Sequence, residues 1–171
     1  YHSNLKIIYS EIIKYASFAQ ENMTSIQQQE VADIKKSAKL IVEVLKDTRD
    51  IQKNVNFYLK SKNDYIKQEY NLLRKELATI LIDINLLDSN ETQLEKLTQL
   101  EVIKSTLIAN DLSNTGKIDA LIREDKIKAT MATSLINDSA TVYSIQKKLV
   151  EMASMLFLNN NLLKEIGDTQ K

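Results

Sequence analysis

A single carboxylate interrupts a long apolar stripe near the carboxyl end of the chain. Asp138 lies inside a helical pattern that runs from about residue 127 to 158. Apolar residues recur there at intervals of mostly three and four, the spacing of a helix face packed on other helices, at Ile127, Met131, Leu135, Val142, Ile145, Leu149, Met152 and Leu156. A carboxylate in such a face is costly unless hydrogen-bond donors or a positive charge meet it.

Two interpretations of Asp138 follow. In the one we favour, Asp138 is buried and fixes packing by accepting hydrogen bonds inside the bundle. Its donors would be N–H groups at a neighbouring helix start, or the hydroxyls of Ser134 and Thr141 one turn away. In the other, Asp138 is a functional carboxylate.

A second acidic motif lies in the first half of the chain. Glu43 and Asp47 are four residues apart, which places them on one helical face, with Asp50 beside them and Asn54 further along. Oxygen ligands on adjacent turns can bind a divalent metal ion. The simpler interpretation is a solvated acidic face, neutralised by basic neighbours on the same helix, Lys46, Arg49 and Lys53.

The residues of common enzyme sites are missing from the sequence. His2 is the only histidine, so no Ser-His-Asp set can be assembled. Gly116 and Gly167 have no partner at the spacing of a phosphate-binding loop. Cysteine is absent, which excludes disulfides, thiolate zinc sites and a cysteine nucleophile. Of the common catalytic arrangements, the sequence leaves only a pair of carboxylates that is not excluded.

Composition indicates a chain of long helices. It contains no proline and only two glycines, where average usage would give roughly 8 and 12. With 23 basic and 23 acidic residues and a pI near 6.8, the chain lacks the basic excess of a nucleic-acid-binding protein. No apolar run approaches the roughly 18 residues that span a bilayer, and no signal peptide is recognised. Because the first residue is Tyr1, we expect a segment of a longer protein.

The apolar periodicity predicts five or six helices. Their approximate ranges are 4–26, 31–59, 64–87, 91–112, 118–123 and 127–158. The glutamines and glutamate at 27–30 are assigned to a turn, and Gly116 to the end of the fourth helix. Asn63 or Asp64 is expected to cap the third helix, and the cap of the fourth stays open.

The order of helix lengths suggests two related halves, residues 1–88 and 89–171. Residues 51–55, Ile-Gln-Lys-Asn-Val, are similar to residues 145–149, Ile-Gln-Lys-Lys-Leu. A repeat of this kind is typical of a duplicated helical unit. The pattern therefore predicts an all-α antiparallel helical bundle made of two three-helix bundles.

Three segments carry a resemblance to a known family. Residues 41–54 (IVEVLKDTRDIQKN), 71–78 (NLLRKELA) and 132–145 (ATSLINDSATVYSI) resemble the cytoplasmic C-terminal PhoU-like region of the sodium/phosphate cotransporter family. The resemblance extends from about the second helix to Leu156, and its most specific part is Thr133-Ser-Leu-Ile-Asn-Asp138.

The resemblance implies a fold and a set of site residues. PhoU-like proteins are all-helical, with two three-helix bundles, and each half carries an acid followed four residues later by Asp that binds metal. Glu43 and Asp47 match this motif, so a divalent metal would bind there, weakly. In the second half Ser134 replaces the first acid before Asp138, so no metal is expected. The second half instead has a polar cluster with a structural or functional role, Thr133, Ser134, Asn137 and Asp138.

The expected function is a non-enzymatic, PhoU-like regulatory domain of a sodium/phosphate symporter-like membrane protein. It would lie on the cytoplasmic face of the inner (plasma) membrane and modulate phosphate transport through helix-face contacts. The expected partners are the membrane-embedded portion upstream in the same chain and a second copy in a homodimer, without nucleic acid. Two alternatives stay open: a free-standing PhoU-type adaptor of phosphate signalling, and a helical metal-dependent enzyme using Asp138 with Glu43 and Asp47.

Overall fold

The structure is a computed structural model that describes residues 2–20, 23–89 and 92–158. Five α-helices and no strand occur in these ranges: α1 (His2–Ala19), α2 (Ser25–Tyr58), α3 (Asp64–Ser89), α4 (Gln93–Arg123) and α5 (Ala129–Phe157). The predicted all-α helical bundle is confirmed. Within the same ranges, no helix is both long and apolar enough to cross a membrane.

The boundary between α1 and α2 differs from the predicted one. The predicted first helix continued to residue 26, whereas α1 ends at Ala19 and α2 begins at Ser25. Thr24 and Gln27 form a capping box: the backbone N–H of Gln27 donates to Thr24 Oγ1 at 3.4 Å, and the N–H of Thr24 donates to Gln27 Oε1 at 3.0 Å. The turn assigned to residues 27–30 was therefore wrong, because these residues form the start of α2.

One of the two candidate caps of α3 is confirmed. Asn63 Oδ1 accepts a hydrogen bond from the backbone N–H of Ile66 at 3.1 Å, as an N-cap does. Asn63 Nδ2 also donates to the carbonyl of Lys126 at 2.8 Å. The α2–α3 turn is thereby attached to the α4–α5 turn.

Helix α4 is continuous where two helices were predicted. It runs through Gly116 to Arg123, and Gly116 does not take the left-handed conformation of a helix end. Thr92 is the N-cap of the helix and forms a capping box with Glu95. After the helix, Asp125 adopts a φ of 51°, a conformation that Asp tolerates better than most residues. The separate helix at 118–123 was wrong, since glycine weakens a helix without necessarily ending it.

Helix α5 lies at the centre of the packing. It contacts α2, α3 and α4, whereas α1 packs against α2. One hydrophobic cluster joins side chains of α2, α3, α4 and α5 and includes residues on both sides of the predicted boundary at 88/89. Five helices do not supply the six of two three-helix bundles, so that helix count was wrong for the described residues. The division at 88/89 stays a prediction.

Candidate functional site

Asp138 lies in the core of the bundle. It is 6% exposed, and its Oδ2 accepts a hydrogen bond of 2.6 Å from the hydroxyl of Tyr70, which is fully buried on α3. An O–H···O⁻ bond of this length is among the strong ones. The burial agrees with the apolar stripe around Asp138, but the donor differs from those expected: it is a side chain of another helix instead of Ser134 or Thr141.

A second tyrosine extends this contact to α2. The rings of Tyr58 and Tyr70 stack with centroids 4.6 Å apart and an angle of 22° between their planes. The Tyr58 hydroxyl donates to Ser134 Oγ at 3.1 Å, and Ser134 Oγ is 3.2 Å from the Thr130 carbonyl, to which it donates. We call Tyr58, Tyr70, Ser134 and Asp138 the tyrosine–aspartate cluster. It ties α2 and α3 to one segment of α5.

The environment keeps Tyr70 protonated. Burial raises the pKa of the Tyr70 hydroxyl far above its ordinary value near 10, and the hydrogen bond to Asp138 raises the pKa further. A deprotonated phenol would place a second negative charge beside Asp138. Tyr70 therefore acts as a hydrogen-bond donor at physiological pH.

The four polar residues predicted on α5 divide between two environments. Asp138 is buried and Ser134 is partly buried, and both belong to the tyrosine–aspartate cluster. Thr133 and Asn137 are exposed, and the Thr133 hydroxyl donates to the carbonyl of Ala129 at 3.1 Å. The structure therefore brings two of the four together.

The acidic pair on α2 binds a lysine from α5. Lys148 Nζ lies 2.7 Å from Asp47 Oδ2 and 3.4 Å from Glu43 Oε2. Because the hydrogen bond to Asp47 favours the charged ammonium, it raises the pKa of Lys148. We call Glu43, Asp47 and Lys148 the carboxylate–lysine cluster. The neutralising cation had been expected from the same helix, and no local pattern in the sequence pointed to Lys148.

This arrangement bears on the metal prediction. The place between the two carboxylates, where a divalent ion would bind, is taken by the Lys148 ammonium. In the ranges that the structure describes, no three or more acidic or histidine side chains are placed to hold a metal. Weak metal binding at Glu43 and Asp47 stays a prediction.

The carboxylates named for a metal-dependent enzyme do not form one site. Asp138 and Lys148 lie ten residues apart on α5, which corresponds to about 15 Å along a helix. Since Lys148 contacts Glu43 and Asp47, that pair lies well away from Asp138. The geometry gives no support to a site shared by all three.

Sequence reasoning missed a further buried carboxylate. Glu69 on α3 is 7% exposed, and Lys117 Nζ on α4 lies 2.7 Å from its Oε1. Glu69 lies three residues after Ile66 and four before Leu73, which are both buried, so the periodicity of α3 could have indicated that Glu69 is buried too. Its partner was hidden because Lys117 follows Gly116, where α4 was expected to end.

No protein-family model, curated protein or solved structure matches this chain. The resemblance to the PhoU-like region of the sodium/phosphate cotransporter family therefore stays a prediction, based on residues 41–54, 71–78 and 132–145.

Proposed function

We propose that this chain is a non-enzymatic, PhoU-like regulatory domain of a sodium/phosphate symporter-like membrane protein. It would act on the cytoplasmic side and modulate phosphate transport through contacts of its helix faces with the membrane-embedded portion. The family resemblance supports the identity of the protein. The outward face of α1 supports the mode of action.

That face of α1 carries large apolar side chains that are mostly exposed; one of them, Tyr15, also borders an apolar groove between α1 and α2. Ile7, Ile8, Tyr15 and Phe18 are between 56% and 78% exposed. At 100° per residue, they lie within an arc of about 100° on one side of the helix, and Ala16, which is 6% exposed, lies outside this arc. A contiguous exposed apolar patch on a small protein commonly marks a surface that binds another protein. This face is the observation that carries the proposed contact.

The position of α1 offers a route from such a contact to the rest of the bundle. α1 packs against α2, and Lys35 Nζ on α2 donates to Gln20 Oε1 at 3.0 Å, just beyond α1, and to Ser17 Oγ at 3.3 Å. α2 in turn carries parts of both polar clusters. A partner that shifts α1 would therefore act first on α2, which packs against α5 and contacts it at Lys36 and at Tyr58.

The test uses the complete protein in reconstituted vesicles. We expect the double substitution Tyr15→Ser and Phe18→Ser to reduce the effect of the domain on phosphate uptake at least tenfold, because it removes two exposed rings from the contact. The matched control is Leu94→Ser with Val102→Ser, since these α4 residues are similarly exposed, at 63% and 60%. Sodium-dependent phosphate uptake is measured with the domain present and deleted.

Two results would contradict the proposal. The first is a coding sequence without long apolar spans before Tyr1, which would indicate a free-standing protein. The second is phosphate uptake that stays the same when the domain is deleted. Equal effects of the α1 and α4 substitutions would contradict the role of α1 alone.

A further inference from the structure

Two of the three arginines in this chain line one apolar groove. The groove lies between α1, α2 and α3 and has a volume of about 720 Å³. Its apolar wall includes Leu5 of α1, Leu45 and Val55 of α2, and Leu77 of α3, and both Arg49 and Arg74 lie along it. α1 and α3 each pack against α2, and the groove is the space between them. On this side, α1, α2 and α3 leave their apolar side chains uncovered along the groove.

The charged side chains described along the groove are all positive. Among the described residues that line it, Arg49 and Arg74 are charged and none is acidic. The whole chain has 20 lysines and only 3 arginines, so the placement of two arginines here is unusual for its composition. A guanidinium presents a planar set of donors that matches a carboxylate in two parallel hydrogen bonds, which an ammonium cannot do.

The dimensions suit a helix. The α2 residues of the groove extend from Leu45 to Val55, which is about 15 Å or nearly three helical turns. An amphipathic helix binds such a groove by placing apolar side chains at i, i+3 or i+4, and i+7 against its wall. The polar edge of that helix would lie beside Arg49 and Arg74, where carboxylates are the complementary groups.

We propose that the α1–α2–α3 groove is a docking site for an acidic amphipathic helix of a partner protein. The helix would complete the bundle that α1, α2 and α3 leave open, with its glutamates or aspartates paired to Arg49 and Arg74. This binding depends on the groove alone and not on the transporter proposal, because the outward face of α1 is a different surface.

The test is a titration of the whole chain against two labelled peptides, followed by fluorescence anisotropy. Both probes are 18-residue helical peptides with leucines on one face; one carries glutamates beside the leucines, and the other carries lysines at the same positions. We expect the acidic peptide to bind at least tenfold more tightly than the basic one. Arg49→Glu with Arg74→Glu should reverse this preference, because both charges along the groove change sign.

Two variants serve as controls. Arg123→Glu reverses the charge of the third arginine, which is exposed on α4 and does not line the groove, and should leave the affinity unchanged within twofold. The neutral pair Arg49→Gln with Arg74→Gln should weaken the acidic peptide without creating affinity for the basic one. Circular dichroism establishes that each variant is folded.

Several outcomes would overturn the proposal. Absence of binding, equal affinity for both peptides, or acidic-peptide binding that withstands the glutamate substitutions would each do so. Binding to vesicles of phosphatidylglycerol and phosphatidylcholine, lost in the arginine variants while the peptides fail to bind, would assign the groove to a membrane surface. Dimerisation seen by light scattering and lost in the same variants, again without peptide binding, would assign it to a second copy of the chain.

Discussion

Asp138 and Asp47 both lie where α5 meets a neighbouring helix, but they are held by different donors. Asp138 is in the core and accepts a hydrogen bond of 2.6 Å from an uncharged hydroxyl, that of Tyr70. Asp47 is at the edge, with its side chain 27% exposed, and pairs at 2.7 Å with the Lys148 ammonium, whose side chain is 23% exposed. Each carboxylate has one close donor, so the two sites differ chiefly in burial and in the charge of the partner.

The difference follows from desolvation. Burying an ammonium beside a carboxylate removes two ions from water, and the attraction between them often fails to offset that loss. A buried phenol adds no second charge, and its ring fills apolar space, as the stacking of Tyr70 on Tyr58 demonstrates. At the edge of the bundle, water still reaches the ions, so a lysine can serve. The tyrosine–aspartate cluster should therefore matter more to stability than the carboxylate–lysine cluster.

The largest loss of stability should come from introducing a carboxylate into the core at a position where no hydrogen-bond donor meets it. Leu135 lies one turn before Asp138 on α5 and is 1% exposed. Leu135→Asp should unfold the protein, because an unpaired buried charge costs several kcal/mol against a total stability of about 5–15 kcal/mol. Leu73→Asp, at a site on α3 that is 4% exposed, should do the same. Thermal melts followed by circular dichroism measure the result.

The matched control for Leu135→Asp is its neighbour. Ile136 is 48% exposed, so Ile136→Asp should leave a cooperative transition close to that of the parent. A Leu135→Asp protein that melts like the parent would refute the assignment of this face to the core.

The next effect concerns the tyrosine–aspartate cluster itself. Asp138→Leu should lower the free energy of unfolding by about 1–3 kcal/mol, because it leaves the buried Tyr70 hydroxyl without its acceptor. Asp138→Asn should lose a similar amount, since its amide brings donors that the site does not need. Tyr70→Phe combined with Asp138→Leu should recover part of the loss, because both polar partners are then gone. Denaturant melts of the single and double variants provide the coupling energy.

The opposite result has a clear meaning for Asp138. If Asp138→Leu is neutral or stabilising and the domain no longer binds the membrane portion in a pull-down, Asp138 is kept for binding, since functional carboxylates are often held at the expense of stability. Loss of stability with binding retained supports the packing role.

Features that depend on residues close in the sequence could be predicted, whereas contacts between residues far apart in the sequence could not. The apolar spacing on α5 reported its buried face correctly, because helix periodicity is local. The Asn63 cap was also local, and its acceptor lies three residues from its donor. Tyr70 and Lys148 were missed as partners because they belong to other helices, 68 and 101 residues from the carboxylates they bind. Such pairings depend on how helices cross, which composition and spacing do not specify.

The wrong boundaries had a different cause. Gly116 was expected to end a helix and the residues at 27–30 to form a turn, both on the basis of residue preference. Such preferences are worth about 1 kcal/mol, so a two-bond cap such as that of Thr24 and Gln27, or the packing of Ile118 and Leu121 in the core, can outweigh them.

The smallest effect is expected at the carboxylate–lysine cluster. Lys148→Met should lower stability by about 0–1 kcal/mol, because a partly exposed ion pair is screened by water and salt. Because the pKa of Lys148 is raised above its ordinary value of 10.5 in the folded protein, this contribution is complete below that value and is lost as the pH rises above it, through the higher pKa of the folded state. Denaturant melts at pH 7 and pH 11 should therefore show a smaller difference between parent and variant at the higher pH. If Lys148→Met lowered the free energy of unfolding by more than about 2 kcal/mol at every salt concentration, the carboxylate–lysine cluster would stabilise the fold as much as the tyrosine–aspartate cluster does.

The same substitution sharpens the metal question. In the parent, the Lys148 ammonium lies against Asp47 and Glu43, so elemental analysis of protein purified without chelator should find well under one equivalent of metal. Lys148→Met removes that cation and leaves two carboxylates together, an arrangement that hard divalent ions bind. Metal content should then increase, and Glu43→Gln with Asp47→Asn should abolish the increase. Stoichiometric metal that withstands these two substitutions but is lost in Asp138→Asn would place the site in the other half, and would mean that the buried carboxylate, not the edge pair, is the ligand.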